Sequence, residues 1–381
     1  MAEQKEPTNL IELLQQLKEH NIPEEKYKSH IDRFLHNKAI KNVVPYSGTL
    51  ELTPYCNLDC KMCYVHLNKE QLNGAKLLTV EEWKSLIKQA HDAGMRTATL
   101  TGGECLLHPD FDEIYLYLQS FGIEVSIKTN GTLLNAKRIA FFQEHPPVSI
   151  EVTLYGSCNE VYEAVTGSPQ FDTVWKNIAQ AKEANLPISV MITPNAFMGN
   201  DGIALIEKIH SADFRFEINA RLFEPRENTG RRGDKMHAST GTYIDMYTKS
   251  MQLNGRKIHK VPIESLPEPK TSGEATYGIP CIAGKSRFHI NWKGEMLPCT
   301  NIPTISAEPL VDGFENCWQK IHQAVLAMEI PMECAGCPYQ RFCGCVGVHY
   351  QNGSTAHCNK AWCEHIKQLT AAGIAEIEQD C

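Results

Sequence analysis

No run of about 18 apolar residues occurs anywhere in the 381-residue sequence, which excludes a long hydrophobic membrane-spanning helix. Met1 to Pro7 are polar and charged, not a basic stretch leading into an apolar one, so no export signal is read and a cytosolic protein is expected. Excess positive charge is missing too. The net charge of -8 gives no footprint for a phosphate backbone, and the one dense basic stretch, Arg226 to Lys235, is short, so neither nucleic acid nor a membrane is expected as a partner. Internal repeats and low-complexity tracts are absent, which sets aside solenoids and disordered linkers. What remains is ordinary globular material: 42% hydrophobic and 22% charged, in a chain long enough for one large core plus a smaller module, or for two domains.

Cysteine departs from the ordinary. There are 15, an odd number, in a chain expected where thiols are kept reduced, so metal or cluster ligation is favoured over disulfides. Three fall at Cys56, Cys60 and Cys63, only Cys105 and Cys158 follow before Cys281, and the remaining ten lie between Cys281 and Cys381.

Residues 1–47 read as a helical preface, a docking arm or a lid. Leu10, Leu13, Leu14 and Leu17 recur at helical spacing, and Pro23 opens a second stretch with Tyr27, Ile31 and Leu35. From about Gly48 strand and helix alternate. Short apolar runs at Leu50 to Leu52, Thr97 to Thr101, Val125 to Lys128, Val148 to Leu154, Ile188 to Ile192 and Phe214 to Ile218 give six βα units. Thr79 and Glu82 form a capping box ahead of an amphipathic helix through Trp83, Leu86 and Ile87, ending near Gly94. The expected fold class is α/β, a partial (β/α)6 barrel over residues 48–223. Glycine, proline and charge rise across residues 224–277, read as a linker with one helix around Thr242 to Met251. A cysteine-rich extension fills residues 278–381.

Cys56, Cys60 and Cys63 follow the first expected strand, on the loop at its carboxyl end, the face that carries active sites in βα architectures. Three thiolates this close can hold three irons of a four-iron cubane and leave the fourth iron open, whereas a structural zinc prefers four protein ligands and no fourth is near in sequence. Gly102, Gly103 and Glu104 end the second strand. Paired glycines admit close approach of a small ligand, and a carboxylate beside them can accept from an ammonium group. In the tail, Cys281, Cys299, Cys334, Cys337, Cys343, Cys345, Cys358 and Cys363 exceed what one zinc needs, so two clusters or two zincs are the natural count.

Cys-x3-Cys-x2-Cys after the first strand with Gly-Gly-Glu after the second resembles the radical S-adenosylmethionine (SAM) enzymes. The resemblance implies that Cys56, Cys60 and Cys63 hold a [4Fe-4S] cluster whose open iron chelates SAM. It also implies that Gly102, Gly103 and Glu104 meet the methionine amino end and that Thr129 and Asn130, in a Thr-Asn-Gly match, lie toward the ribose. Cys105 stands where proline is common and is read as a small buried residue. The order of tail cysteines resembles the SPASM extension, which implies two auxiliary [4Fe-4S] clusters. By that pattern Cys334, Cys337, Cys343 and Cys363 form the outer set, Cys363 being preferred to Cys358, and Cys281, Cys299 and Cys345 form the inner one. Two departures stand out: a single residue separates Cys343 from Cys345, and the inner set lacks a fourth thiolate, leaving an open cluster or recruitment of Cys317 or Cys358. Cys158 and Cys381 are read as free or buried.

Enzymes with this extension most often modify peptides, which implies hydrogen abstraction by a 5'-deoxyadenosyl radical followed by oxidative cross-linking. A flavodoxin or ferredoxin-type reductant is the implied partner. Thr300 stands where the sulfatase-maturing branch carries an aspartate base, which lowers that reading. The preface looks too helical for a winged-helix leader-binding domain, so a leader would be read by the preface, by the barrel mouth or by a separate protein. The alternatives are a radical enzyme acting on a small-molecule or tetrapyrrole precursor, and a non-catalytic zinc or electron-transfer protein that would have no need of the Gly-Gly-Glu turn. His66, His108, His289, His349 and His357 lie near motifs but are read as surface or core groups, not ligands. Glu217 and Arg221 lie near the sixth strand's end, where alternation with Phe214, Phe216 and Ile218 puts Glu217 on the polar face, in the barrel mouth or in an ordinary salt bridge.

Overall fold

A computed structural model of the chain describes residues 7–65, 67, 69–74, 76–219, 237–256, 281–329, 337, 339, 343 and 359–374. Six parallel strands form where the apolar runs place them: β1 Ser47–Glu51, β2 Thr97–Thr101, β3 Glu124–Thr129, β4 Ser149–Leu154, β5 Ile188–Ile192 and β6 Arg215–Ile218. Two more join the same sheet beside β1, namely β7 Arg287–Ile290, parallel to it, and β8 Met296–Leu297, antiparallel to β7. The spatial order β6-β5-β4-β3-β2-β1-β7-β8 leaves the barrel open. The expectation of six βα units therefore holds for β1 to β6, but among the described residues the sheet has eight strands, seven of them parallel. The missed hairpin carries the chain from Cys281 to Cys299, so the tail is built directly onto the barrel.

Each strand puts alternate residues on opposite faces. Leu50, Ala98, Leu100, Val125, Ile127, Ile150, Val152, Val190 and Ile192 face the helices and form the main core with Trp83, Ile114, Phe142 and Ile178. The covering helices are α4 Val80–Asp92, α5 Phe111–Ser120, α6 Ala136–Glu144, α7 Asn159–Thr166, α8 Phe171–Glu183 and α9 Asp201–Ser211. Thr79 closes the capping box with Glu82 as expected. A short helix, α3 Lys69–Leu72, precedes them.

The preface folds as α1 Leu10–Glu19 and α2 Tyr27–Lys41. Lys28 on α2 bonds Glu124, the first residue of β3, at 2.8 Å, and His36 meets Ser286 just ahead of β7 at 3.3 Å. These contacts seat α2 under the amino ends of the strands, away from the mouth that a lid would cover. The described part of the expected linker, residues 237–256, is a packed element. Helix α10 Thr240–Leu253 buries Tyr243 and Met246 in the main core, and the Tyr247 hydroxyl donates to the Ile218 carbonyl at 2.7 Å. Beyond β8 follow α11 Pro309–Asp312, α12 Phe314–Leu326 and α13 Lys360–Ala371, the last meeting α10 through Thr240 and His365 at 3.0 Å.

Candidate radical cofactor site

The carboxyl ends of β1 to β4 gather one connected set of groups. The cysteine loop is zipped to the end of α7, whose terminal carbonyls lack helical partners: Asp59 N–H donates to Thr166 O at 2.8 Å and Lys61 N–H to Val165 O at 2.9 Å. Leu58, Cys60 and Met62 pack there with Val165 in a small apolar cluster, with Cys63 and Tyr155 on its flank. Cys56 keeps a solvent-exposed surface, yet the protein packed around its sulfur pushes the metal-free thiol up to about 11. Its sulfur accepts from Leu58 N–H at 3.5 Å and from the Asn130 amide at 3.7 Å. Iron would hold such a thiol deprotonated outright, and N–H donors to sulfur tune a cluster's potential.

Gly102 and Gly103 do their work against the chain itself. Gly103 N–H donates to Thr53 O and Glu104 N–H to Tyr55 O, both at 2.8 Å. A Cβ on Gly103 would sit 2.4 Å from Tyr55 O, and one on Gly102, where φ is +157°, 2.6 Å from Thr53 O. The glycines thus lock the second turn onto the segment leading to Cys56. Glu104 is only 1% exposed, so burial pushes its carboxyl up; Asn130 N–H at 2.7 Å, the Thr129 hydroxyl at 2.8 Å and Leu106 N–H at 3.1 Å oppose that shift. Most of its acceptor capacity goes to joining the second turn to the third. Asn130 then completes a ring: its amide also reaches Asn57 Oδ1 at 2.9 Å, and its Oδ1 accepts from Thr132 N–H at 3.0 Å.

The concave face of the sheet runs beneath this ring and is polar. Ser126 and Ser149 bond at 2.9 Å, Lys128 and Glu151 pair at 3.0 Å, and Glu51, in register with Thr101, meets His289 on β7 at 3.0 Å. The last pair is almost wholly buried, and removing one partner of a buried pair commonly costs about 3–5 kcal/mol. Sequence reasoning missed this pair and Asn57. A glutamate between Leu50 and Leu52 was the available signal, since alternation already aims it at the inner face. Glu217 lies on the concave face as alternation requires, its 3.7 Å pair with Arg215 exposed and therefore weak.

In the tail, Cys281 and Cys299 are brought against the same apolar cluster of Ala283, Ile302, Val325 and Met328. The Cys299 sulfur accepts from Asn301 N–H at 3.4 Å, the same two-residue pattern seen at Cys56. Cys317, in contrast, is buried on α12 within the main core, away from that pair. Cys343 packs at the core's edge, Cys337 is half-buried, and Cys363 stands in the first turns of α13. Cys334, Cys345, Cys358, Cys381, Arg221, His66, His349 and His357 lie outside the described residues. Cys105 is fully buried and donates to Lys128 O at 3.4 Å, and Cys158 sits at the start of α7.

Three thiols on one braced loop, two N–H donors on the first sulfur and an ordered trio of turns fit a cubane with one open iron. Among the described residues no three His, Cys, Asp or Glu converge tightly enough to hold a single ion, and thiolates on three separate irons are spread wider than ligands on one.

Residues 50–199 match the Radical SAM superfamily model. The sporulation killing factor maturation protein SkfB of Bacillus subtilis is 26% identical over 59% of this chain, which spans 55% of SkfB's length. A probable GTP 3',8-cyclase of Aeropyrum pernix is 25% identical over 66% of this chain and 72% of its own. The crystal structure of Streptococcus suis SuiB bound to S-adenosylmethionine shares the fold, with a TM-score of 0.66 at 16% identity over 93% of this chain and 86% of SuiB. No helix among the described residues is long and apolar enough to cross a membrane. The superfamily implies a [4Fe-4S] cluster and SAM, and the chain is an enzyme that carries a radical SAM domain.

Proposed function

We propose that this enzyme modifies a peptide, abstracting hydrogen and then forming an oxidative thioether or carbon-carbon cross-link. The observation that carries this is the linked set of Cys56, Gly102 to Glu104 and Thr129 to Asn130 standing over an open, polar concave face. From β1 to β6 that face crosses five strand intervals, roughly 24 Å, wide enough for several peptide residues. The relatives support it: SkfB is a maturation protein, and SuiB is known in complex with its precursor peptide SuiA. When bound, a [4Fe-4S] cluster and SAM supply a 5'-deoxyadenosyl radical, and auxiliary clusters supply an electron acceptor. The chain's own part is positional. Cys56, Cys60 and Cys63 hold the first cluster, Gly102, Gly103, Glu104, Thr129 and Asn130 shape the SAM seat, and the barrel wall keeps water from the reacting carbon.

The preface, barrel, bridge and extension are assigned to residues 1–47, 48–223, 224–277 and 278–381. Within the extension, Cys281, Cys299 and Cys345 take an inner auxiliary cluster, and Cys334, Cys337, Cys343 and Cys363 an outer one. A flavodoxin or ferredoxin-type protein delivers the electron, and a cytosolic setting suits the reduced thiols. The likeness to a GTP 3',8-cyclase favours a second reading, in which the substrate is a small molecule.

The test is co-expression with candidate precursor peptides, followed by mass spectrometry and anaerobic assay with SAM and reductant. A precursor that loses two hydrogen atoms while 5'-deoxyadenosine accumulates is the expected result. Deoxyadenosine formed only when a nucleotide or tetrapyrrole precursor is supplied would assign the small-molecule reading instead.

A further inference from the structure

One face of α2 gathers cationic side chains around an apolar floor. His30, Arg33, Phe34, Lys38 and Lys41 recur every three or four residues along it, and with Leu13 of α1 they line a groove of about 200 Å³. The floor is apolar, from Leu13 and Phe34. The rim is cationic, with no acidic side chain among the described residues that line the groove. Lys28, on the same helix but off this face, is paired with Asp32 and Glu124, whereas among the described residues Arg33, Lys38 and Lys41 have no carboxylate partner. Lys38 has only the Phe34 ring, its Nζ 5.5 Å from the centroid. Three unmatched cations gathered in a chain of net charge -8 oppose the global sign, and such a local reversal favours an anionic partner.

We infer that this groove docks an acidic, amphipathic peptide segment. Its carboxylates meet Arg33, Lys38 and Lys41 while one or two apolar side chains enter between Leu13 and Phe34. Charge and shape point to a peptide over a simple anion, because a free anion has no use for the apolar floor. Fifteen residues of α2 give about 22 Å of helix, enough to seat roughly four turns of a partner helix. The position adds a constraint. Since α2 lies under the amino ends of the strands, a peptide held here is gripped far from the residue being modified, with about 17 Å of barrel between them. The inference rests on the peptide-modifying reading for its purpose: the groove holds the recognition segment of the substrate and leaves the modified segment free to reach the concave face.

The test uses the full chain and a fluorescein-labelled helix of about 14 residues carrying Leu and Glu at helical spacing, followed by fluorescence anisotropy. A Leu and Lys peptide of equal length is the control. The acidic helix is expected to bind in the micromolar range, about tenfold or more weakly to Arg33→Glu/Lys41→Glu, and progressively more weakly as salt rises. Both positions are exposed, so the double reversal does not threaten the fold, and Leu13→Asp probes the apolar floor separately. Equal affinity in the charge-reversed chain, equal binding of the Lys peptide, or complete displacement by inorganic phosphate alone would overturn the inference. Failure here leaves SAM cleavage and peptide modification untouched. Failure of peptide modification with docking intact overturns the function and not the groove.

Discussion

Replacing Cys56, Cys60 and Cys63 together by alanine is expected to abolish 5'-deoxyadenosine formation, a fall of more than about a thousandfold, while the chain stays folded. The three sulfurs are asked to hold the group that generates the radical. Their structural contribution is small by comparison. Only Cys60 is buried, beside Leu58, Met62 and Val165, and trimming a thiol to a methyl there costs about 1 kcal/mol. The loop's attachment to α7 runs through backbone amides of Asp59 and Lys61, which alanine leaves in place. Anaerobic product assay beside thermal melting separates the two effects: product vanishes and the melting temperature moves by only a few degrees. Product surviving in the triple variant would remove the cysteine loop from the chemistry.

Gly103→Ala is expected to be nearly as damaging through a different route. The new Cβ would lie 2.4 Å from Tyr55 O and 2.8 Å from Pro54 O, and both are backbone atoms with nowhere to rotate. The turn must shift, which breaks the 2.8 Å bond from Glu104 N–H to Tyr55 O and drags the Glu104 carboxylate off Asn130 and Thr129. A buried carboxylate stripped of donors costs about 1–3 kcal/mol or more, added to about 1–3 kcal/mol of overpacking. The same movement pulls the Thr53 to Tyr55 segment that leads into Cys56. A stability loss of about 2–6 kcal/mol by urea titration and a fall in SAM affinity of roughly a hundredfold by calorimetry are expected. Gly122→Ala is the control, because its Cβ meets nothing within 4 Å and its penalty is confined to a φ of +69°. Equal effects at the two glycines would mean that the close approach at Gly103 is not what matters.

The parallel body was legible in the sequence because its strands are buried on one face and polar on the other. Thr97 to Thr101 and Ile188 to Ile192 fall on β2 and β5 residue for residue, and the Thr79 to Glu82 box marks the start of α4. The hairpin of β7 and β8 was not legible. Its strands are four and two residues long, and a strand that short carries too few alternations to stand out. Its partner β1 supplies the missing information only once folded. The same limit hid the pair of Glu51 and His289, since 238 residues separate them in the chain and only the pairing of β1 with β7 brings them together. Of the site, the motifs themselves stand out in the sequence, and the contacts that join them do not. Gly102 and Gly103 look in sequence like a seat for a ligand, and Glu104 like an acceptor for its ammonium. The fold adds what the sequence could not show: the glycines also press the second turn against the first, and Glu104 also binds the second to the third.

The most direct test is anaerobic counting of iron and acid-labile sulfide in the reconstituted chain beside the Cys56→Ala/Cys60→Ala/Cys63→Ala variant. Three cubanes require about twelve irons in the native chain and about eight in the variant, with sulfide in equal number. Zinc in place of iron, or a variant that keeps all the iron of the native chain, would contradict a radical centre on the first cysteine loop.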